Sequence, residues 1–116
     1  MPRSRGQASR VDRAAHAMSD PTRRRLLRLV RDREIAAGEL ARHCAAVSRP
    51  AVSQHLRVLE RARLVTVRRD GNRRLYRCRP EGLADLRAFI DDMWTDQLER
   101  LKHAAERSEI HEKGMQ

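Results

Sequence analysis

The sequence has few aromatic residues, since Tyr76, Phe89 and Trp94 are the only ones among its 116 residues. Hydrophobic residues make up 40% of the chain and charged residues 36%. These proportions support one small domain with a modest core. A second subunit would supply the burial that such a core lacks.

Cysteine is also scarce, and Cys44 and Cys78 are the only two. Two cysteines do not make a disulfide framework, which agrees with a reducing compartment. No apolar run is long enough to span a bilayer, and the N-terminus has no apolar signal core. We therefore expect a soluble, cytoplasmic protein that has no membrane partner.

Lysine is absent from residues 1–79, which contain 21 Arg and 7 acidic residues, a balance of +14. Residues 80–116 have 5 basic and 9 acidic residues, a balance of −4. The cationic part predicts a polyanionic partner, because each neutralised phosphate releases counterions. An acidic membrane surface is the alternative. It is disfavoured because the arginines are interleaved with Leu and Val rather than gathered on one amphipathic helix.

The motifs of common enzymes are missing as well. The sequence has no Gly-rich phosphate loop, no pair of carboxylates that suggests a cleft, and no nucleophile with an evident base. We expect a protein that is not an enzyme and has no cofactor.

The first third of the chain predicts an arm and two helices. Residues 1–10 are polar and Arg-rich, which predicts a disordered arm. A short helix is expected from Val11 to Met18. A second helix should begin at Ser19-Asp20-Pro21 and run to about Arg33, because a polar cap followed by proline is a start signal. Its leucines and Val30 should be buried, and its exposed residues should be Arg23, Arg24, Arg28 and Arg31.

Residues 48–64, SRPAVSQHLRVLERARL, predict a helix with two distinct faces. Ser48 is placed to cap it, and Pro50 falls in the first turn, where a missing N–H is harmless. Helical spacing groups apolar residues on one face (Val52, Leu56 and Leu59) and polar residues elsewhere (Arg49, Ser53, Gln54 and Arg57). A short helix over Glu39–Ala45 precedes it, which gives a helix-turn-helix. The polar face suits a DNA major groove, although an ordinary solvated helix is the alternative.

A β-hairpin is predicted next, with strands over Leu64–Val67 and Leu75–Cys78 and a turn at Asp70-Gly71. Four arginines crowd its tip: Arg68, Arg69, Arg73 and Arg74. Like charges that close together repel one another, so phosphates opposite them are favoured over a merely solvated tip.

The last helix is expected from about Glu81 past Ala105, with a flexible tail over residues 107–116. Its apolar stripe is wider than one small domain is expected to cover, which predicts a dimer interface. The alternative is a helix folded entirely onto its own domain. Residues 11–106 are expected to form a single domain that carries both the DNA-binding and the dimerisation surfaces. The stripe comprises Leu83, Leu86, Phe89, Ile90, Met93, Trp94, Leu98 and Leu101.

Four segments in this order resemble the ArsR-type family of bacterial winged helix-turn-helix repressors: SDPTRRRLL, GELARHC, SRPAVSQHLRVLERARLV and RRDGNRRLYRC. The resemblance covers about Ala14 to Leu101. It implies a mainly α fold with a small β-hairpin, in the order α-α-α-α-β-β-α, and a homodimer on a pseudo-palindromic DNA operator. The dimer would contact the operator through helix 48–62 and through the hairpin of residues 64–79, which the family calls the wing.

Transferred to this chain, the resemblance makes Arg49, Ser53 and Gln54 the candidates for base contacts. Candidates for phosphate contacts are Ser48, His55 and Arg57, together with the four arginines of the hairpin tip. DNA occupancy would block transcription, as an autorepressor does.

Many members of this family sense metals, but the two usual ligand sets are missing here. The stretch before the predicted DNA-reading helix has no thiolate, and the positions near the last helix hold Pro80, Gly82, Met93 and Asp96. Zinc and softer ions need Cys or His ligands there. We expect no metal site and name no effector. The alternatives are a metal- or thiol-responsive repressor with an unrecognised site, and a module that contacts RNA or protein. No aromatic platform for stacking RNA bases is present.

Overall fold

A computed structural model describes the backbone of residues 5–114 and the side chains of residues 5–109. The chain forms two compact units, Met1–Leu86 and Arg87–Gln116. A 3₁₀ turn over Pro80–Leu83 precedes the last helix. The elements in chain order are α1 (Arg5–Met18), α2 (Pro21–Leu29), β1 (Ile35–Ala36), α3 (Ala37–His43), α4 (Arg49–Arg61), β2 (Val65–Asp70), β3 (Arg73–Cys78) and α5 (Ala84–Gly114).

The predicted fold class is confirmed as mainly helical with a small antiparallel sheet, but the order of elements needs one correction. A strand that was not predicted, β1, lies between α2 and α3 and makes the sheet three-stranded in the order β1-β3-β2. Ile35 is opposite Tyr76 in this pairing. A two-residue strand is too short to show a periodic pattern. It forms because β3 offers a free edge.

Helix α1 begins at Arg5, so the prediction of a disordered arm is wrong for residues 5–10. Residues 1–4 of that arm lie outside the described residues. The helix is attached to the core by its buried residues Val11, Ala14 and Ala17. The guanidinium Nε of Arg10 also lies 2.6 Å from a carboxylate oxygen of Asp85. Composition alone does not reveal such a distant acidic partner.

Helix α2 is capped by Asp20, whose carboxylate accepts a hydrogen bond from the Arg23 N–H at 3.1 Å. Pro21 follows in the first turn, as predicted. The helix ends at Leu29 rather than near Arg33, because the backbone then turns towards the sheet. The carbonyl of Val30 accepts from the Cys78 N–H of β3 at 2.9 Å instead of continuing the helix.

The helix-turn-helix consists of α3, a turn and α4, and α3 lies about two residues earlier than predicted. The Ser48 hydroxyl accepts from the Ala51 N–H at 3.3 Å, which confirms the predicted cap. The core below is built mainly from aliphatic side chains, and its fully buried large members are Leu26, Val30, Ile35, Leu40, Val52, Leu59 and Leu64.

The β2–β3 hairpin, here called the wing, turns at Gly71, whose φ of +62° favours glycine. Helix α5 continues to Gly114, so the predicted flexible tail is helical over residues 107–114, and residues 115–116 lie outside the described residues. The chain divides after Leu86 rather than forming the single domain predicted over residues 11–106. Among the described residues, no helix is both long and apolar enough to cross a membrane.

Candidate nucleic-acid interface

Helix α4 has one buried face and one exposed face, as the spacing predicted. Val52, Leu56 and Leu59 are no more than 3% exposed and fix the rotation of the helix about its axis. The exposed side chains include all the residues predicted for base contacts and one predicted for phosphate: Arg49, Ser53, Gln54 and Arg57. These four residues therefore present two cations and two neutral hydrogen-bonding groups to their surroundings. Ser48 is also exposed, and its hydroxyl can still donate while it caps the helix.

His55 differs from the other predicted phosphate contacts, because its side chain is only 20% exposed. Its Nδ1 lies 3.2 Å from the Nη1 of Arg23 and 3.8 Å from a carboxylate oxygen of Asp20. The imidazole therefore joins α4 to the start of α2, and only its remaining exposed edge is open to a phosphate.

Arg23 was expected in water, but it is 8% exposed, and that expectation is wrong. Its guanidinium donates to the carbonyls of Ala17 at 2.8 Å and His16 at 2.9 Å. These carbonyls belong to the last turn of α1, where helical partners are missing. Arg24 is also partly withdrawn, since it donates to the Met18 carbonyl at 2.7 Å.

The sequence did contain a signal for the burial of Arg23. Leu26 and Leu27 follow it at i+3 and i+4, so the three side chains share one helical face. Arg23 thus holds α1, α2 and α4 together and positions the helix that presents the polar face.

Asp20 adds an electrostatic link to this junction. The hydrogen bond from the Arg23 N–H holds the pKa of the Asp20 carboxyl below its ordinary value, and the nearby His55 lowers it further, while burial opposes the shift. Asp20 is therefore ionised at neutral pH, where it both caps α2 and faces the imidazole of α4.

The wing separates its four arginines into two pairs. Arg69 and Arg74 are directly opposite each other, two positions beyond the Val67–Tyr76 pair that packs on the core. Since alternate residues of a strand share a face, this arginine pair continues the face that is turned towards the helices. Arg74 indeed lines a shallow cleft whose other residues are Arg57, Glu60 and Arg61 of α4 and the following Arg63. Neither Arg69 nor Arg74 forms an ion pair within the described part of the chain.

Arg68 and Arg73 have acidic partners. The guanidinium of Arg68 lies 3.0 and 3.3 Å from the two carboxylate oxygens of Glu34, which raises the pKa of Arg68 above its already high value. Arg73 lies 3.3 Å from Asp70 on the neighbouring strand. The tip is therefore less cationic than four unpaired arginines would be.

One arginine beside the wing was missed by the sequence analysis. Arg42 of α3 lines a cavity of about 550 Å³ between the start of α3 and the wing tip, together with Arg69 and Arg74. It is exposed and forms no ion pair among residues 5–109. A single arginine in GELARHC gave no reason to single it out, and the tertiary structure brings it to the wing.

The cysteines and other metal-binding residue types are dispersed. Over the described residues, no three His, Cys, Asp or Glu side chains form a group that could hold a metal ion. Cys44 is buried, and Cys78 is half-buried. Burial raises the pKa of the Cys78 thiol, with a further contribution from Glu81, so at neutral pH it is a thiol with little thiolate character.

The residues predicted for the dimer interface fall into two groups. Leu83 and Leu86 pack against the core of the first unit, so the structure corrects their assignment to a surface free for a second subunit. Trp94 and Leu101 illustrate the second group, being 64% and 65% exposed. The other exposed large apolar residues of α5 are Phe89, Ile90, Met93 and Leu98.

Residues 18–68 match a family described as a helix-turn-helix domain. The HTH-type transcriptional regulator Rv2034 of Mycobacterium tuberculosis is 52% identical over 87 residues, which are 75% of this chain and 80% of that protein.

Solved structures are also similar. A crystal structure of a possible transcriptional regulator for arsenical resistance has 50% identity and a TM-score of 0.63, over 76% of this chain and 91% of that one. An ArsR-like transcriptional regulator from Rhodococcus sp. RHA1 has 26% identity and a TM-score of 0.71, over 84% of this chain and 92% of that one.

Proposed function

The chain belongs to the ArsR family of DNA-binding transcriptional repressors, and we propose that it acts as a homodimer on a pseudo-palindromic operator. One observation supports this most directly. Arg57, on the exposed polar face of α4, lines one cleft with Arg74 of the wing, and neither Arg74 nor its cross-strand neighbour Arg69 forms an ion pair among the described residues. A groove-sized helix next to unpaired cations suits a duplex, whose bases and phosphates lie side by side.

Base recognition belongs to the N-terminal half of α4 in this proposal. Arg49 can donate two hydrogen bonds to a guanine edge, and Gln54 can form a bidentate pair with adenine. Ser53 lies one turn after Arg49 and can donate to, or accept from, a neighbouring base. All three are exposed, and the buried face below them keeps the helix from rotating.

Phosphate contacts belong to the arginines around this helix. Arg57, Arg69 and Arg74 are exposed. Arg57 and Arg74 line one cleft, and Arg69 and Arg74 line a second one together with Arg42. Arg68 and Arg73 contribute less, because each would have to exchange a carboxylate for a phosphate. This ranking separates residues that the sequence treated as equal.

Dimerisation rests on the exposed apolar residues of α5. A contiguous apolar surface of this kind marks an interaction site. A second copy would cover it symmetrically and present two α4 helices to two half-sites about one DNA turn apart, roughly 34–36 Å. Bound in this way, the dimer would exclude the transcription machinery from the operator.

The test is selection of bound duplexes from a random DNA pool by the purified full-length chain. The expected result is an enriched motif with two-fold symmetry. A pool without an enriched motif, or equal enrichment from a matched RNA pool, would contradict the proposal. The Gln54→Ala variant should shift the enriched bases, and the Arg74→Ala variant should return the same motif with weaker binding.

A further inference from the structure

A second cationic cluster lies at the C-terminal end of α4, away from the N-terminal half assigned to base recognition. It surrounds a cavity of about 400 Å³ between α1, the end of α4 and the 3₁₀ turn. None of its arginines was predicted to contact DNA. The charged residues that line it are Arg10, Arg13, Arg61, Arg63, Arg79, Glu81 and Asp85.

The charges around this cavity do not balance, since five guanidinium groups face two carboxylates. Arg10 pairs with Asp85 at 2.6 Å, and Arg79 donates to the Arg63 carbonyl at 3.3 Å. The guanidinium groups of Arg13, Arg61 and Arg63 have no ion pair within residues 5–109. Even with the partial negative charge of the α4 C-terminus, an excess of positive charge converges on one small space.

The wall of this cavity is tightly built. A Cβ on Gly82 would lie 2.0 Å from the Arg63 carbonyl oxygen, so only glycine allows the two backbones to approach so closely. Arg63 itself has a φ of +58°, which is unusual for a residue other than glycine. The Arg79 N–H also donates to the Leu64 carbonyl at 2.7 Å. The 3₁₀ turn is therefore held firmly against the end of α4.

We propose that this cavity binds a small multivalent oxyanion and that the bound anion weakens operator binding. Guanidinium groups form paired hydrogen bonds with both phosphate and carboxylate, and several of them favour an anion with more than one charged group. The volume falls within the range of small-molecule sites, about 300–1,000 Å³.

The regulatory part of this proposal rests on the proposed function. The cavity and the base-contact candidates lie on the same 13-residue helix, about 20 Å from end to end. An anion held at one end reduces the positive field that attracts DNA to the other. Operator affinity should fall as the cavity fills, because the electrostatic part of DNA binding depends on the cationic charge nearby.

Calorimetric titration of the full-length chain with pyrophosphate, and separately with citrate, tests binding without DNA. Ionic strength and pH are held constant. The cavity variant is Arg13→Gln/Arg61→Gln. The matched control with the same loss of charge, here called the wing control, is Arg42→Gln/Arg69→Gln, since these two residues line the wing-tip cavity and share no cleft with Arg61 or Arg63. Circular dichroism checks that both remain folded, as expected for exposed side chains.

The expected result is saturable binding of one anion per chain, weakened at least about tenfold in the cavity variant and less than about twofold in the wing control. A preference for pyrophosphate or citrate identifies phosphate or carboxylate as the ligand chemistry. Equal weakening in both variants, unchanged affinity in the cavity variant, or binding that never saturates would overturn the proposal.

A second titration measures operator affinity with and without pyrophosphate at constant ionic strength. The wild-type chain should bind DNA more weakly with the anion present, and the cavity variant should show no response. If the cavity variant bound DNA poorly but still bound pyrophosphate, the arginines of the cluster would be DNA contacts, and the proposed anion site would be wrong. Because calorimetry involves no DNA, its outcome is independent of whether the operator model holds.

Discussion

Arg69 and Arg74 are directly opposite each other on β2 and β3, and neither forms an ion pair in the described part of the chain. Like charges in this cross-strand position destabilise a hairpin. At the next cross-strand position of the same hairpin, Arg73 is opposite an acidic residue, Asp70, and forms an ion pair with it. The unneutralised pair is therefore the part of the wing best suited to contact the phosphates of a DNA duplex.

Replacing Arg74 by Gln should weaken binding to every DNA sequence by a similar factor. It should also reduce the slope of log Kd against log salt concentration by about one, because one phosphate contact is lost. Titration of specific and random duplexes at several salt concentrations measures both effects. Arg68→Gln serves as the control, with a smaller change because Arg68 is paired with Glu34. An equal effect of the two variants would refute the division of the wing into two pairs.

Replacing Gln54 by Ala should cost about 1–3 kcal/mol of binding free energy on the selected operator, with little change on random DNA. The reason is that an exposed amide on α4 can form a bidentate pair with one base only. Competition titrations with single-base variants of the operator would locate that base. Arg57→Ala is the comparison, expected to weaken all sequences alike. If Gln54→Ala behaved in the same way, its base contact would be ruled out.

Arg23→Ala should lower the free energy of unfolding by about 2–3 kcal/mol, because it removes two charged hydrogen bonds and leaves the Ala17 carbonyl without its donor in a buried place. Arg25→Ala removes an exposed arginine from the same helix and should change stability by less than about 0.5 kcal/mol. Urea unfolding at one fixed protein concentration compares them. Similar stabilities for the two variants would show that the buried hydrogen bonds of Arg23 contribute nothing measurable.

Acid should destabilise the protein in part through Asp20. Its pKa is lowered in the folded chain from an ordinary value of 3.8, so its contribution is complete above that value and is lost as pH falls through the lowered folded pKa. Asp20→Asn should flatten the pH dependence of the unfolding free energy below about pH 4 while keeping an Asn cap on α2. An unchanged slope in that variant would exclude Asp20 as a source of acid sensitivity.

Charges placed on the exposed apolar residues of α5 should separate the proposed dimer. Met93→Glu/Trp94→Glu introduces two carboxylates where side chains are 59% and 64% exposed. Burying these unpaired carboxylates in an interface would require more free energy than the apolar contacts of the interface provide. Sedimentation velocity should show monomers. The control, Ala88→Glu/Thr95→Glu, adds the same charge elsewhere on the helix and should remain dimeric. A dimer in both cases would place the interface elsewhere.

Local patterns in the sequence predicted much of the candidate interface. The spacing of Val52, Leu56 and Leu59 gave the buried face of α4, and Ser48 followed by Pro50 gave its start. Asp70-Gly71 predicted the turn of the wing to within one residue, since Asp70 still pairs with Arg73 and the two-residue loop is Gly71-Asn72. Each of these features depends on residues within one helical turn or one hairpin, so neighbouring residues are enough to specify it.

Contacts between distant segments escaped prediction. Strand β1 forms by pairing with the edge of β3, which lies about 40 residues later in the chain. Helix α1 begins at Arg5, and its Arg10 forms a hydrogen bond with Asp85, 75 positions later. Arg23 was placed in water although the last carbonyls of α1 needed a donor. In each case the decisive partner is far away in the sequence, and periodicity does not report on it.

The sequence by itself determined the helix-turn-helix, the polar face of α4 and an arginine-rich wing, because capping, spacing and turn chemistry are local. Only the tertiary structure decided which arginines have acidic partners. Strand register set Arg69 against Arg74, and folding brought Glu34 to Arg68. The net charge of a sequence does not tell which guanidinium groups are already paired with carboxylates. An anion binds to individual guanidinium groups, and the fold determines which of them are unpaired.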